Sequence, residues 1–379
     1  MRILFVIRSL ESGGGAERQL CQLADALAAR GVAVAIAVMY DADVTHRFMS
    51  PGHGVELLDL GKQSRWDIIP FTRRCLKLAR EFKPDLVHGY MSGANELALL
   101  IGRVLGKPVV WGIRVSDQDF SDYSLFRRTV FKIGCLLSGL PDLIIANSYK
   151  GRDFHVERGF PAARVIVVPN GIDVVRFRRD VESGVAWRLK HSIDPDIPLI
   201  VLPARFDPMK DHETFLRAVA EVEKSGLVLQ YVAIGRGSPD EKRRVRAQIE
   251  AHGVSHRVRL LVDEANVESV YNAADIVTLT SAFGEGFPNV LGEAMACGRV
   301  CVSTDVGDAA VVIGDVGWIV PIRDPAQLAR AWKELLALSP NARLELETQA
   351  RLRIEEKFGI GILADSSLEQ FASIARVPA

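Results

Sequence analysis

Short, nearly unbroken apolar runs, spaced far enough apart for a helix between them, constrain this chain more than any other feature. Residues 3–7 read Ile-Leu-Phe-Val-Ile, and further runs follow at 32–38, 86–87, 109–113, 143–146 and 165–168. A strand wetted on one face alternates apolar and polar residues, and these do not, so both faces must be covered. The stretches between them, such as 16–29 ahead of Gly31, carry helical spacing. Parallel sheets clad in helices are therefore expected. A second series opens at 199–204 and continues at 228–234, 258–262, 276–280, 300–303 and 318–320. Between the two series, Pro169-Asn170-Gly171-Ile172-Asp173 supplies turn residues, and the polar stretch onward to about Pro198 reads as a linker. Two open α/β domains in tandem result, facing across a cleft that would take ligands beyond the carboxyl ends of the strands.

Composition narrows the function. Apolar residues make up 48% of the 379 and charged residues 25%, an ordinary globular balance. Forty-seven basic residues against 47 acidic ones exclude the basic excess of a dedicated nucleic-acid binder. The zero hides an asymmetry, because residues 1–178 carry 24 Lys+Arg against 18 Asp+Glu. A basic first half can meet anionic surfaces, phosphate or acidic lipid, although solubility charge has the same signature. The five cysteines are odd in number and form no C-x-x-C pair, which fits a reducing compartment. The first apolar run ends at Arg8, too soon for a signal segment, and no run approaches the ~20 residues of a membrane span. A cytoplasmic protein, free or peripheral on the membrane's inner face, is expected.

Three loops carry candidate chemistry. Ser12-Gly13-Gly14-Gly15-Ala16-Glu17 lies between the first strand and first helix, where glycines permit close backbone approach and helix N–H groups meet an anion. The dinucleotide pattern G-x-G-x-x-G fails here because Arg18 occupies the third glycine position, although Asp41 could mimic its ribose-binding acid. Arg205-Phe206-Asp207-Pro208-Met209-Lys210-Asp211 follows the first strand of the second series. Arg205 and Lys210 suit a diphosphate, and Asp211 suits a helix N-cap. In the third loop, Gly284 and Gly286 flank Glu285. Pro288 is placed at the first helical position, and the N–H groups of Asn289, Val290 and Leu291 point outward as an anion site. Glu293 sits one turn after Asn289 on the same face. Carboxylates accept hydrogen bonds from paired hydroxyls, so Glu285 and Glu293 could grip two ends of a nucleotide sugar.

These residues resemble a known family. Glu285 and Glu293, seven residues apart within E-G-F-P-N-V-L-G-E-A-M-A-C-G, look like the E-x7-E motif of retaining GT-B glycosyltransferases, in particular glycosyltransferase family 4. The likeness covers nearly the whole chain through G-G-G-A-E at 13–17, P-N-G-I-D at 169–173, R-F-D-P-M-K-D at 205–211, G-R-G at 235–237, N-A-A-D at 272–275, T-D-V-G-D at 304–308 and V-P-I-R-D-P at 320–325. It implies a GT-B fold of two Rossmann-like domains. An acceptor-side domain would span 1–172, with a C-terminal helix at about 358–379 packing back on it, and a nucleotide-sugar domain would span 173–357. It implies that Arg205 and Lys210 neutralise the donor diphosphate without a metal. Glu285 would meet donor-sugar hydroxyls beside the backbone of Gly286, Phe287, Pro288 and Asn289. Glu293 would hold the ribose, with Gly13, Gly14 and Gly15 and the helix start through Val290 and Leu291 donating N–H groups. The nucleobase would lie near Gly235, Arg236 and Val262. No cofactor is implied: the nucleotide sugar is a substrate, with UDP ranked ahead of GDP.

One departure stands out. Many family members carry a histidine after the strand that here reads Val109-Val110-Trp111-Gly112-Ile113, and this chain has Arg114 there. Arginine stays protonated and is no general base, though it could clamp an acidic acceptor or the donor diphosphate. His88 is the remaining histidine candidate on the acceptor side, with a structural role as its ordinary reading. Leu125, Phe126, Val130, Phe131, Ile133, Leu136 and Leu137 form an apolar stripe beside Arg127, Arg128 and Lys132. It could lie on a membrane and reach a polyprenyl-linked acceptor, or face the core. The resemblance implies a retaining hexosyltransferase of polysaccharide or glycoconjugate assembly. A nucleotide-sugar epimerase of the same architecture, a nicotinamide-dependent dehydrogenase and an inactive partner subunit are the alternatives.

Overall fold

The computed structural model describes residues 1–10, 14–40, 54–64, 66–116, 125–262, 264 and 266–375. The chain divides into two units, Met1–Gly171 with Ile360–Ala379, and Ile172–Gly359. The first holds strands β1 (Arg2–Ile7), β2 (Ala33–Val38), β3 (Glu56–Asp59), β4 (Leu86–Tyr90), β5 (Val109–Ile113), β6 (Leu143–Ala146) and β7 (Val165–Val167). The second holds β8 (Leu199–Pro203), β9 (Gln230–Gly235), β10 (Val258–Val262), β11 (Ile276–Leu279), β12 (Cys301–Thr304) and β13 (Trp318–Val320). All pairings between these strands are parallel. The sheet orders are β3-β2-β1-β4-β5-β6-β7 and β10-β9-β8-β11-β12-β13. Each is the doubly wound order, in which the first strand lies centrally and the chain reverses direction beside it.

The apolar runs explain the layers. Every residue of β4, β5 and β8 is buried. The helix Gly15–Ala28 turns Leu20, Cys21, Leu23, Ala24 and Leu27 onto the unit 1 sheet at helical spacing. The helix Ile360–Ala375 adds Leu363, Ala364 and Phe371 to the same core, beside Phe5, and Asp365 pairs with Arg30 at 2.6 Å. Unit 2 closes where the Ile172 N–H donates to the Phe358 carbonyl at 2.7 Å. The five cysteines are all unpaired; burial pushes the thiols of Cys21, Cys75 and Cys297 up to about 12.

Two features correct the sequence expectation. Strand β3 lies outside the apolar runs: its Glu-Leu-Leu-Asp sequence is a four-residue edge strand with acidic ends and one buried residue, Leu58. The stretch read as a linker carries a helix, Val181–Lys190, capped by Asp180 accepting from the Ser183 N–H at 3.0 Å. It is anchored through Trp187, 3% exposed, and Arg188, whose Nη2 meets Asp275 at 2.6 Å. Its inward face is only Gly184 and Trp187, too narrow to announce itself as an apolar stripe.

Candidate functional site

In a doubly wound sheet the ligand position lies past the carboxyl ends of the two strands flanking the reversal. In unit 2 these are β8 and β11, and the loops after them carry Arg205–Asp211 and Thr280–Pro288. The two loops are laced together. The Ala282 N–H donates to the Met209 carbonyl at 2.9 Å, and the Thr280 hydroxyl to the Lys210 carbonyl at 2.9 Å. Asp207 accepts from the Met209 N–H and Asp211 from the Thr214 N–H, so the backbone around Lys210 is pinned from both sides.

This lacing brings two charges into contact. The Lys210 ammonium forms an ion pair with Glu285 Oε1, and both side chains are nearly buried, 12% and 11% exposed. The Ser281 hydroxyl donates to the same Oε1 at 2.6 Å. Burial alone would push the Glu285 carboxyl up. Lys210 and the Ser281 hydrogen bond, with Arg205 farther off, outweigh it and hold the carboxyl below its ordinary range. Glu285 is therefore an anion at neutral pH, able to accept hydrogen bonds and unable to donate one. Arg205 stays at the rim, 63% exposed, with Asp207 at 3.8 Å. The Glu285 loop is braced by Gly307, whose φ is +52°. A Cβ there would stand 2.5 Å from the carbonyl oxygens of Glu285 and Gly286, so only glycine allows this approach. The Asp308 N–H closes the contact on the Gly286 carbonyl at 3.0 Å.

The next helix runs Asn289–Ala296 and ends at Gly298, with φ +70°. Pro288 precedes the helix in extended conformation rather than opening it, and the Leu291 N–H donates to the Pro288 carbonyl at 3.0 Å. Two expectations are thus corrected: the helix starts one residue later, and Leu291 is not an outward donor. The Phe287 ring packs on Phe358 at 5.4 Å within the unit 2 core, so this residue can offer a ligand only its backbone. Glu293 is 3% exposed and accepts from the Tyr271 hydroxyl at 2.7 Å. A solvated helix carboxylate is excluded at this position. Gly235 ends β9 against the β8 loop, where a Cβ would lie 2.0 Å from the Ala204 carbonyl. Arg236 is exposed and Val262 half-buried at the neighbouring strand ends. Ser281, Tyr271 and Gly307 were not singled out from the sequence. Only Ser281, four residues before Glu285, carried a local signal.

In unit 1, Gly14 precedes the helix that Gly15 opens, and Gly13 and Asp41 lie outside the described residues. His88 is fully buried between the rings of Phe5, Tyr90 and Phe371, and burial together with Arg114 keeps it neutral. Arg114 is half-buried, its guanidinium carbon 4.0 Å from the Tyr90 ring centre. The helix Leu125–Leu137 is divided: Phe131 packs on Phe154 and His155, while Ile133 and Leu136 are exposed, Leu136 by 84%. No helix among the described residues is long and apolar enough to cross a membrane.

Comparison with known proteins follows the same division. Residues 13–176 match the model of Glycosyltransferase Family 4, and residues 197–338 that of Glycosyl transferases group 1. A D-inositol 3-phosphate glycosyltransferase of Rhodococcus erythropolis is 30% identical over 62% of this chain, which there spans about half, 54%, of the relative's length. The phosphatidyl-myo-inositol mannosyltransferase of Mycobacterium tuberculosis is 27% identical over 85% of this chain and 82% of its own. Among solved structures, Anabaena HepE in complex with UDP-glucose superposes with a TM-score of 0.83 at 20% identity, covering 98% of this chain and 100% of that one. Sucrose-phosphate synthase from Thermosynechococcus elongatus gives 0.81 at 19% identity over 98% of each chain. These likenesses establish the fold.

Proposed function

This chain is a GT-B glycosyltransferase of the family 4 type, and from that premise we propose that it moves a hexose, with retention, from a nucleotide sugar to a saccharide or lipid-linked acceptor. The process served is glycoconjugate or polysaccharide assembly at the cytoplasmic face of the membrane. Unit 2 is the donor unit and unit 1 the acceptor side. The observation that carries the reading is the buried Lys210–Glu285 pair past the ends of β8 and β11. A diphosphate arriving there meets an ammonium already desolvated and oriented, with Arg205 free to swing in from the rim. Charge building on the departing diphosphate is offset by these two cations and by N–H groups at the helix start after Pro288, so no metal is needed. Lys210 and Ser281 both contact Oε1 of Glu285, and Oε2 is assigned to a hydroxyl of the donor sugar. Glu293, oriented by Tyr271, takes the ribose hydroxyls, and the base lies by Gly235, Arg236 and Val262. Because His88 is enclosed, and burial beside Arg114 opposes its taking up a proton, the acceptor proton passes to the leaving phosphate oxygen on the attacked face.

A UDP-linked donor is favoured over a GDP-linked one, in keeping with the UDP-glucose held by the Anabaena protein. The test is release of nucleoside diphosphate from UDP-glucose and GDP-mannose by the full chain, with the anomeric proton of the product followed by NMR. Retention predicts an α-linked product from an α-linked donor. A β-linked product, or equal turnover by Glu285→Gln, would overturn the assignment.

A further inference from the structure

We propose that Arg114 recognises an acidic substituent, a phosphate or a carboxylate, on the acceptor. The inference rests on reading unit 1 as the acceptor side and adds the chemical class of what binds there. Arg114 stands just beyond β5, at the carboxyl edge of the unit 1 sheet. Its Nη1 reaches Asn170 Oδ1 at 3.4 Å, and its Nε is buried with no hydrogen-bond partner. No carboxylate among the described residues forms an ion pair with it. Among the described residues the ionisable group that favours the charge of Arg114 is the Tyr90 phenol, and burial pulls the guanidinium pKa down.

Two other cations drawn largely out of water differ. Lys210 has Glu285. Arg299, which is buried, lies in the field of Glu347 and Asp275. Among the described residues, Arg114 alone of these three holds a desolvated charge with no carboxylate to answer it, an arrangement that costs free energy until an anion arrives. Its surroundings are unmet as well. The Tyr90 hydroxyl, Ser116 Oγ and Asn147 Oδ1 are buried without partners, and all three lie at or just past the ends of β4, β5 and β6. A phenol and a hydroxyl donate to oxyanions, and a guanidinium meets one with two parallel N–H groups. The Tyr90 ring beneath the guanidinium fixes its plane, which a flexible ammonium would lack. His88 Nε2 and Arg114 Nε flank the bare face of Gly112, where a Cβ would lie 3.3 and 3.6 Å from them. A side chain there would press on both groups.

The test titrates the full chain, saturated with UDP so that the unit 2 cations are occupied, with inorganic phosphate, glucuronate and glucose by calorimetry. At least one of the two anions is expected to bind while glucose does not, and the stronger of the two tells a phosphorylated acceptor from an acidic sugar. Arg114→Met, and Arg114→Lys with its charge kept but its fork lost, should weaken that binding about tenfold or more while leaving UDP affinity unchanged. Unaltered circular dichroism and unfolding transitions certify that the variants fold. Anion binding by Arg114→Met equal to that of the unsubstituted chain, or no anion binding by the latter, overturns the proposal. A drop in UDP affinity in Arg114→Met would move Arg114 to the donor side and overturn it too. Failure of the unsubstituted chain to bind UDP instead strikes the donor reading, and the Arg114 comparison still stands by itself.

Discussion

The two units share a strand order, yet their strand ends treat charge in opposite ways. Past β8 and β11 the buried cation Lys210 is matched by Glu285, which Ser281 braces, and two loops are hydrogen-bonded into one surface. Past β4 and β5 the cation Arg114 has an aromatic ring and one long hydrogen bond, with buried polar atoms around it left unpartnered. A self-neutralised site can persist folded and desolvated while empty, which suits the repeated arrival and departure of a nucleotide. On the proposed reading, a site whose charge is unmatched among the described residues is completed by its ligand, which would suit selection among acceptors. If both proposals hold, one topology supports two kinds of recognition, and the loops determine which.

Substitutions can break this contrast. Lys210→Met leaves a buried carboxylate uncompensated and is expected to cost about 3 kcal/mol in chemical unfolding, whereas Lys210→Met with Glu285→Gln should recover most of that stability without recovering transfer. Equal destabilisation by the single and double variants would show that the pair is not the relevant unit. Gly307→Ala forces a side chain against two carbonyls at positive φ, an expected loss of about 2 kcal/mol with donor affinity falling in parallel. Arg114→Met gives up about 1 kcal/mol of stacking on Tyr90 but relieves a charge unmatched among the described residues, so a net change within about 1 kcal/mol is expected. If it destabilises as much as Lys210→Met, the asymmetry between units fails. The smallest effect is in pH. Glu285 has its folded pKa below its ordinary 4.5, so it contributes stability above that pH and loses the contribution as pH falls through the lowered value. Unfolding curves between neutral pH and pH 3 should therefore converge for the unsubstituted chain and the Lys210→Met, Glu285→Gln double variant.

Much of this was legible in the sequence because it is local. Strands buried on both faces announce themselves as apolar runs, and glycine-bounded loops between strand and helix mark where a ligand can approach. Strand β3 escaped notice because a four-residue edge strand with acidic ends has no periodicity to read. The helix 181–190 escaped because its hold on unit 2 comes from one tryptophan and one arginine rather than a stripe. The partner of Glu293 was invisible for a different reason: Tyr271 is twenty-two residues away on another helix, and only packing brings its hydroxyl to the carboxylate. The pairing of Lys210 with Glu285, 75 residues apart, follows the same rule. Sequence supplied both charges, but their mutual neutralisation is a product of the sheet order.

The central claim is that the loops after β8 and β11 form the site for a nucleoside diphosphate. Calorimetric titration of UDP into the full chain and into the folded Lys210→Met, Glu285→Gln double variant tests it most directly. The account predicts a single binding event in the unsubstituted chain, weakened about tenfold or more in the variant by loss of a charge-assisted contact to phosphate. UDP binding of equal strength in both proteins would contradict it.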